Sequence, residues 1–120
     1  MSLAEEETLN ELISEFARIS GVDDKDVEAK PEANGKSLTL VTHNELKNEA
    51  RDYELIISSG DTPKKWLLTG SITVTPTGGQ EQKKPVNETL NCPLKFLPKA
   101  VGRVLDKYKA KRGFLDNYFG

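Results

Sequence analysis

Two side chains of this sequence, His43 and Cys92, have the chemistry of a nucleophilic pair. A cysteine attacks a substrate as its thiolate, which a nearby imidazole generates by taking the thiol proton. The sequence contains one histidine and one cysteine, so it can form one such pair at most. His43 follows the first predicted strand and Cys92 precedes the last predicted helix, with no motif that links them. We therefore expect a surface histidine, a buried thiol and no enzymatic activity.

Five acids occupy the segment between residues 22 and 36, which raises calcium as a ligand. They are Asp23, Asp24, Asp26, Glu28 and Glu32. An EF-hand loop places oxygen ligands at alternate positions and a glycine at its sixth position, and this segment has no glycine there. We interpret the segment as a solvated acidic connector and predict no metal site and no cofactor. An acidic calcium-binding protein remains the second alternative function.

Basic side chains recur every four residues along the last predicted helix. The members that we assign to nucleic-acid binding are Lys99, Arg103, Lys107 and Lys111. Lysine and arginine bind nucleic acids by displacing the counterions of the phosphates. Each four-residue step turns this basic row by about 40° around the helix, and the net charge of −2 differs from that of a basic nucleic-acid-binding domain. An RNA- or DNA-binding domain is therefore the first alternative function.

Aromatic side chains are the candidates for a partner-binding surface. We assign this role to Trp66, at the start of the longest predicted strand, and to Phe114, Tyr118 and Phe119 in the C-terminal tail. Aromatic residues are enriched at the hot spots of interfaces, and an exposed apolar patch marks an interaction site. Trp66 has a competing interpretation as a core residue, because its neighbours leave its face of the strand undecided.

Two helices of opposite charge must position these residues. Residues 1–32 carry ten acids and three bases, a net charge of −7, whereas residues 95–120 carry seven bases and two acids, a net charge of +5. Apolar residues at helical spacing predict an acidic helix over 3–20 and a basic helix over 96–112. If both helices cover one face of a sheet, we expect the acids of the first to face the basic row along their seam.

Alternating apolar and hydroxyl side chains predict a β-sheet over 37–92. A hairpin loop at 59–63 pairs two of its strands in antiparallel fashion. We predict an α+β domain with a three- to four-stranded antiparallel sheet, both helices on one face, and serine and threonine on the other. The connector 22–36 and an aromatic tail over 113–120 complete this single domain.

Composition predicts a cytoplasmic protein. A single cysteine excludes an internal disulfide and favours a reducing compartment. No apolar run approaches the roughly 20 residues of a membrane span. Because no catalytic constellation is present, we expect a small non-enzymatic protein–protein binding or adaptor module. Its expected partner is another protein or a second copy of the chain, with nucleic acid as the alternative.

Overall fold

The chain runs as a helix, five strands and a second helix. The computed structural model describes residues 3, 5–32 and 35–110, with side chains as far as residue 108. The elements are α1 Glu6–Ser20, β1 Glu28–Pro31, β2 Ser37–Glu45, β3 Glu49–Ser59, β4 Lys65–Pro76, β5 Gln82–Asn91 and α2 Leu97–Ala110. Short 3₁₀ helices, Asp24–Asp26 and Leu94–Phe96, precede β1 and α2. The predicted α+β class is confirmed.

The strands form one antiparallel meander in the order β1-β2-β3-β4-β5. The sequence predicted three to four strands, and the structure corrects this number to five. Strand β1 lies inside the predicted connector 22–36, and β5 is one continuous strand within residues 80–93. Both are edge strands that pair with one neighbour through the backbone. Their mostly exposed side chains lack the apolar alternation that reveals a strand in a sequence.

Tight turns join the long strands. The predicted hairpin between β3 and β4 is present, and the Gly60 N–H donates to the Lys65 carbonyl at 2.7 Å across its loop. In the turn from β4 to β5, Gly78 has a φ of 75°, a left-handed conformation that glycine adopts without steric cost. The turn between β3 and β4 sets the register in which Leu55 lies opposite Gly70.

One face of the sheet and one face of each helix form a single hydrophobic core. The buried residues of this core are Leu3, Leu12, Phe16, Ile19, Leu38, Leu40, Tyr53, Leu55, Ile57, Trp66, Leu68, Ile72, Val86, Leu94, Leu97, Val101 and Leu105. Successive side chains of a strand point to opposite faces. The residues between these core positions therefore lie on the second face of the sheet, which neither helix covers.

The two helices begin and end close to the predicted positions. Helix α1 ends before Gly21, which has a φ of 75° and donates its N–H to the Arg18 carbonyl. It begins at Glu6, later than predicted, and the side chain of the preceding N-cap residue, Glu5, makes no capping hydrogen bond. Helix α2 is described as far as Ala110. Within the described residues, neither helix is long and apolar enough to cross a membrane.

Candidate functional site

His43 and Cys92 lie at opposite ends of the sheet, so they do not form a cysteine–histidine pair. His43 is on β2, next to the turn into β3, and lies opposite Asp52. Cys92 follows β5, where its N–H donates to the Lys64 carbonyl at 2.8 Å. Burial raises the pKa of the Cys92 thiol. This shift disfavours the thiolate that a nucleophilic cysteine needs.

The acids of the connector are spread over separate elements. The carboxylate of Asp24, in the first 3₁₀ helix, accepts a hydrogen bond from the Ser14 hydroxyl at 2.6 Å. Glu28 is on β1 and lies 3.5 Å from the Lys30 ammonium group. In the part of the chain that the structure describes, no group of three or more acids, histidines or cysteines is placed to hold a metal ion. The calcium alternative stays a prediction.

The described part of the basic row is exposed and spirals around α2. Its exposed members are Lys99, Arg103 and Lys107, and Lys111 lies outside the described residues. Lys99 borders a groove between the helices that Glu11 also lines. Lys107 borders a second groove, on the far side of α2, that Glu88 of β5 lines. Acids at both ends of the row weaken the positive potential that binds a phosphate backbone.

The helices pack against each other, but the basic row does not pair with the acids of α1. Among the described residues, the ion pair between the helices joins Arg18 Nη2 to Asp106 Oδ2 at 3.2 Å. The side chains of Glu15 and Arg18 pack against Gly102 of α2, where an added Cβ would meet the carboxylate of Glu15. Lys99, Arg103 and Lys107 make no ion pair with any residue in the described ranges. Among the described residues the seam therefore holds no ion pair between the basic row and α1, although Lys99 and Glu11 line the same groove, and the row is exposed.

Trp66 is a core residue. Its side chain is 5% exposed, and its indole N–H donates to the Cys92 carbonyl at 2.8 Å. This burial and this hydrogen bond support the core interpretation over the partner-binding one. The remaining aromatic candidates, Phe114, Tyr118 and Phe119, lie outside the described residues.

An apolar stripe crosses the face of the sheet that the helices leave uncovered. This open face consists of the even-numbered residues of β1 and β3 and the odd-numbered residues of β2, β4 and β5. Its stripe is Val41 on β2, Ile56 on β3 and Leu67 on β4, which are diagonal neighbours in the register. Val41 and Ile56 are half-buried, and Leu67 is 39% exposed. Diagonal neighbours lie about 7–8 Å apart, within reach of long side chains.

Two carboxylates of the central strand lie beside the stripe. The Asp52 carboxylate accepts a hydrogen bond from the imidazole of His43 (Nδ1 to Oδ1, 2.6 Å), which raises the pKa of His43. On its other side, His43 Nε2 lies 3.6 Å from Glu45 Oε1. Glu54 differs from these acids. It is exposed and makes no ion pair or side-chain hydrogen bond with the residues that the structure describes.

Strand β5, one edge of the sheet, is poorly suited to pairing with a further strand. The Tyr108 hydroxyl lies 3.4 Å from the Asn87 nitrogen and 3.3 Å from its carbonyl oxygen, so α2 covers the backbone groups that point away from β4. Pro85 has the same orientation two residues earlier and lacks an N–H. Charged side chains and proline are common protections of edge strands. The opposite edge, β1, is four residues long and ends at Pro31.

The alternation of the sequence predicted a polar second face, but it did not reveal the stripe. The feature of the sequence that indicates the stripe is a pair of adjacent apolar residues in a strand. Ile56 and Ile57 form one such doublet, and Leu67 and Leu68 form another. In each doublet one side chain enters the core and the other points to the open face. Only the strand register shows that the outward members lie next to one another.

No protein-family model, curated protein sequence or solved structure matches this chain. Its function is therefore inferred from the two surfaces that the described residues present. One is the open face with its apolar stripe, and the other is the basic row of α2.

Proposed function

We propose that this domain is a non-enzymatic protein-binding module, and that the open face binds a segment of another protein. The observation that carries the proposal is the stripe of Val41, Ile56 and Leu67 on a sheet face that neither helix covers. Removal of apolar area from water is the main favourable contribution to most protein–protein association. Serine and threonine around the stripe supply hydrogen-bonding groups for the rim of the interface.

The size of the open face suits an interface. Five strands about 4.8 Å apart, with about nine residues of about 3.3 Å each, span roughly 700 Å². A stable interface of standard size covers about 800 Å² on each partner. A partner is more readily bound by the open face than by the β5 edge of the sheet. Pro85 and the hydroxyl of Tyr108 oppose the addition of a strand to β5.

Nucleic-acid binding by α2 is the second candidate, favoured by the exposure of Lys99, Arg103 and Lys107. Substitution of all three residues by glutamate should abolish the binding of a labelled duplex RNA or DNA and remove the salt dependence of that binding. Unchanged binding by the reversed variant would refute this candidate. We rank it second because Glu11 and Glu88 lie beside the two ends of the row.

Photo-crosslinking tests the proposed interface. A benzoylphenylalanine at Thr69, which is exposed and lies opposite Ile56, should form one discrete adduct in extract of the cells that make the protein. The same probe at Glu7 of α1 is the positional control. Ile56→Ser should remove the Thr69 adduct, whereas Leu46→Ser, which deletes an exposed leucine in the turn between β2 and β3, should preserve it.

Two results of this experiment would contradict the proposal. One is the absence of any Thr69 adduct from folded protein, as judged by circular dichroism. The other is an identical set of adducts from Thr69 and Glu7, which would show that the labelling is not specific to the open face.

A further inference from the structure

Glu54 is an unpaired carboxylate in the middle of the open face. It lies on the central strand, opposite Val41 on β2 and Ser71 on β4. Ile56 of the stripe is two residues further along the same strand and on the same face. Neither an ion pair nor a side-chain hydrogen bond joins Glu54 to another residue in the described ranges. Its charge is solvated by water alone.

A partner that covers the stripe must also cover Glu54. Glu54 lies directly opposite Val41 and two residues from Ile56, so a segment that covers both of these side chains also passes over its carboxylate. Burial of a charge without a counterion is strongly unfavourable, whereas a hydrogen-bonded counterion offsets much of that cost. The occupant of the open face therefore needs a cation at this position.

We propose that the open face binds a segment of another protein that is both cationic and apolar. This proposal rests on the proposed function, since it names the chemistry of the partner at the same surface. A lysine or arginine of the segment pairs with Glu54, and its apolar side chains cover Val41 and Ile56. Arginine suits the site best, because its guanidinium group forms two parallel hydrogen bonds to one carboxylate.

A second copy of the chain stacked about β3 is a poor occupant. Stacked sheets pack with their strands nearly aligned. A two-fold axis along β3 would place Glu54 against the same residue of the second copy and Asp52 against its equivalent. A two-fold axis across β3 near Leu55 would place Glu54 against Ile56 of the second copy. Neither of these two arrangements supplies a cation to Glu54. An axis along β4 would set β3 against β5, where Lys83 lies two residues from the position that faces Glu54, so the oligomeric state is one of the outcomes tested below.

Two labelled helical peptides of about 14 residues, or four turns, test this partner chemistry. Both carry leucine on one face, and the other face carries lysine in one peptide and glutamate in the second. The lysine peptide should bind in a fluorescence-anisotropy titration and shift the ¹⁵N-NMR resonances of Val41, Glu54 and Ile56. Glu54→Gln should weaken its binding about tenfold, whereas the matched control Glu7→Gln on α1 should leave it unchanged.

Several results would overturn the partner chemistry. They are equal or tighter binding of the lysine peptide by Glu54→Gln, equal binding of the glutamate peptide, and NMR shifts confined to α1. A dimer in sedimentation equilibrium that Ile56→Ser dissociates would also overturn it, because a second copy would then be the occupant.

The two proposals fail in different ways. If the Thr69 probe captures a protein whose affinity does not fall in Glu54→Gln, the interface stands and the cationic chemistry is refuted. If the Thr69 probe captures nothing, the interface itself is refuted.

Discussion

Arg18 of α1 and Asp106 of α2 form an ion pair of 3.2 Å. Each of the two residues has the opposite sign to the overall charge of its own helix. The basic member belongs to the acidic helix, and the acidic member belongs to the basic helix. The contact lies beside Gly102, against which the side chains of Glu15 and Arg18 pack. The majority charges of each helix consequently remain directed to solvent or to the grooves beside the seam.

Reversal of one charge in this pair should affect stability weakly and in a salt-dependent manner. Asp106→Lys places a cation near Arg18, and both side chains of the native pair are 52% exposed, so salt screens the repulsion. We expect a small decrease of the urea midpoint at low salt that disappears at high salt. Asp106→Asn is the matched control, because it removes the pair without adding a cation beside Arg18, which also pairs with Glu15 at 3.3 Å. A midpoint loss in Asp106→Lys that does not depend on salt would argue against the pair.

Gly70 of β4 should tolerate no side chain. A Cβ at this position would collide with the backbone carbonyl of Glu54 on β3, and the residue has a φ of 154°. Since strand backbone cannot move aside as a flexible side chain can, we expect Gly70→Ala to lower the unfolding free energy by at least about 2 kcal/mol. Chemical denaturation measures this change.

Gly78 provides the matched control for Gly70. It has a φ of 75°, and a Cβ there would have no atom within 4 Å. Gly78→Ala should therefore cost only the left-handed backbone penalty of about 1–2 kcal/mol. Equal losses in the two variants would show that the contact with Glu54 is not the cause.

Trp66 should report the core and not a partner-binding surface. It is the only tryptophan of the chain, and its ring is buried with the indole N–H bonded to the Cys92 carbonyl. We expect blue-shifted fluorescence that acrylamide quenches poorly. Trp66→Phe should lower stability by about 1–3 kcal/mol, because it leaves that carbonyl without its donor and removes buried ring area. Emission typical of a solvated indole would contradict the burial.

His43 should make a small, pH-dependent contribution to stability. Its hydrogen bond to Asp52 raises its pKa in the folded state above the ordinary value of about 6.5. The contribution is then fully present below about pH 6.5 and is lost as the pH rises through the folded-state pKa. The effect is small because the His43 side chain is 52% exposed.

An NMR titration of the His43 imidazole measures the shift directly. Asp52→Asn should return the pKa towards its ordinary value, since it removes the carboxylate that accepts the hydrogen bond. A His43 pKa below about 6.5 in the native protein, or one that Asp52→Asn does not lower, would contradict the geometry.

Removal of the protections on β5 should promote association through the sheet edge. Tyr108→Phe exposes the N–H and carbonyl of Asn87, and Pro85→Val adds a free N–H two residues earlier. The double variant should scatter light and bind thioflavin T more than either single variant, because adjacent free groups form a template for strand pairing. Asn91→Val, at the end of β5, serves as the control for added β-propensity. Equal association in this control would point to propensity instead of the edge.

Periodicity predicted the elements that bury one face. Leu12 and Phe16 have the spacing of a helix, and Leu55 and Ile57 have that of a strand, so α1 and β3 could be read from neighbouring residues alone. β1 and β5 could not be predicted in full, because an edge strand is held by backbone hydrogen bonds to a partner that lies elsewhere in the sequence.

The candidate site was less predictable than the fold. The sequence left Trp66 with two interpretations, core residue and interface residue, and its place opposite Ser59 and Leu90 in the register puts it on the core face of the sheet. The prediction for Phe114, Tyr118 and Phe119 concerns residues outside the described ranges. Glu54 was not predicted, since nothing in its local sequence distinguishes it from other exposed acids.

The sequence by itself determined which side chains are available for burial, where α1 ends and how charge is distributed along the chain. These properties depend on neighbours a few residues apart. Only the tertiary structure decided that the basic row faces solvent, that one face of the sheet stays open, and that Glu54 lies unpaired beside Val41 and Ile56. Strand register and helix packing determine these relationships, because they bring together residues that are distant in sequence.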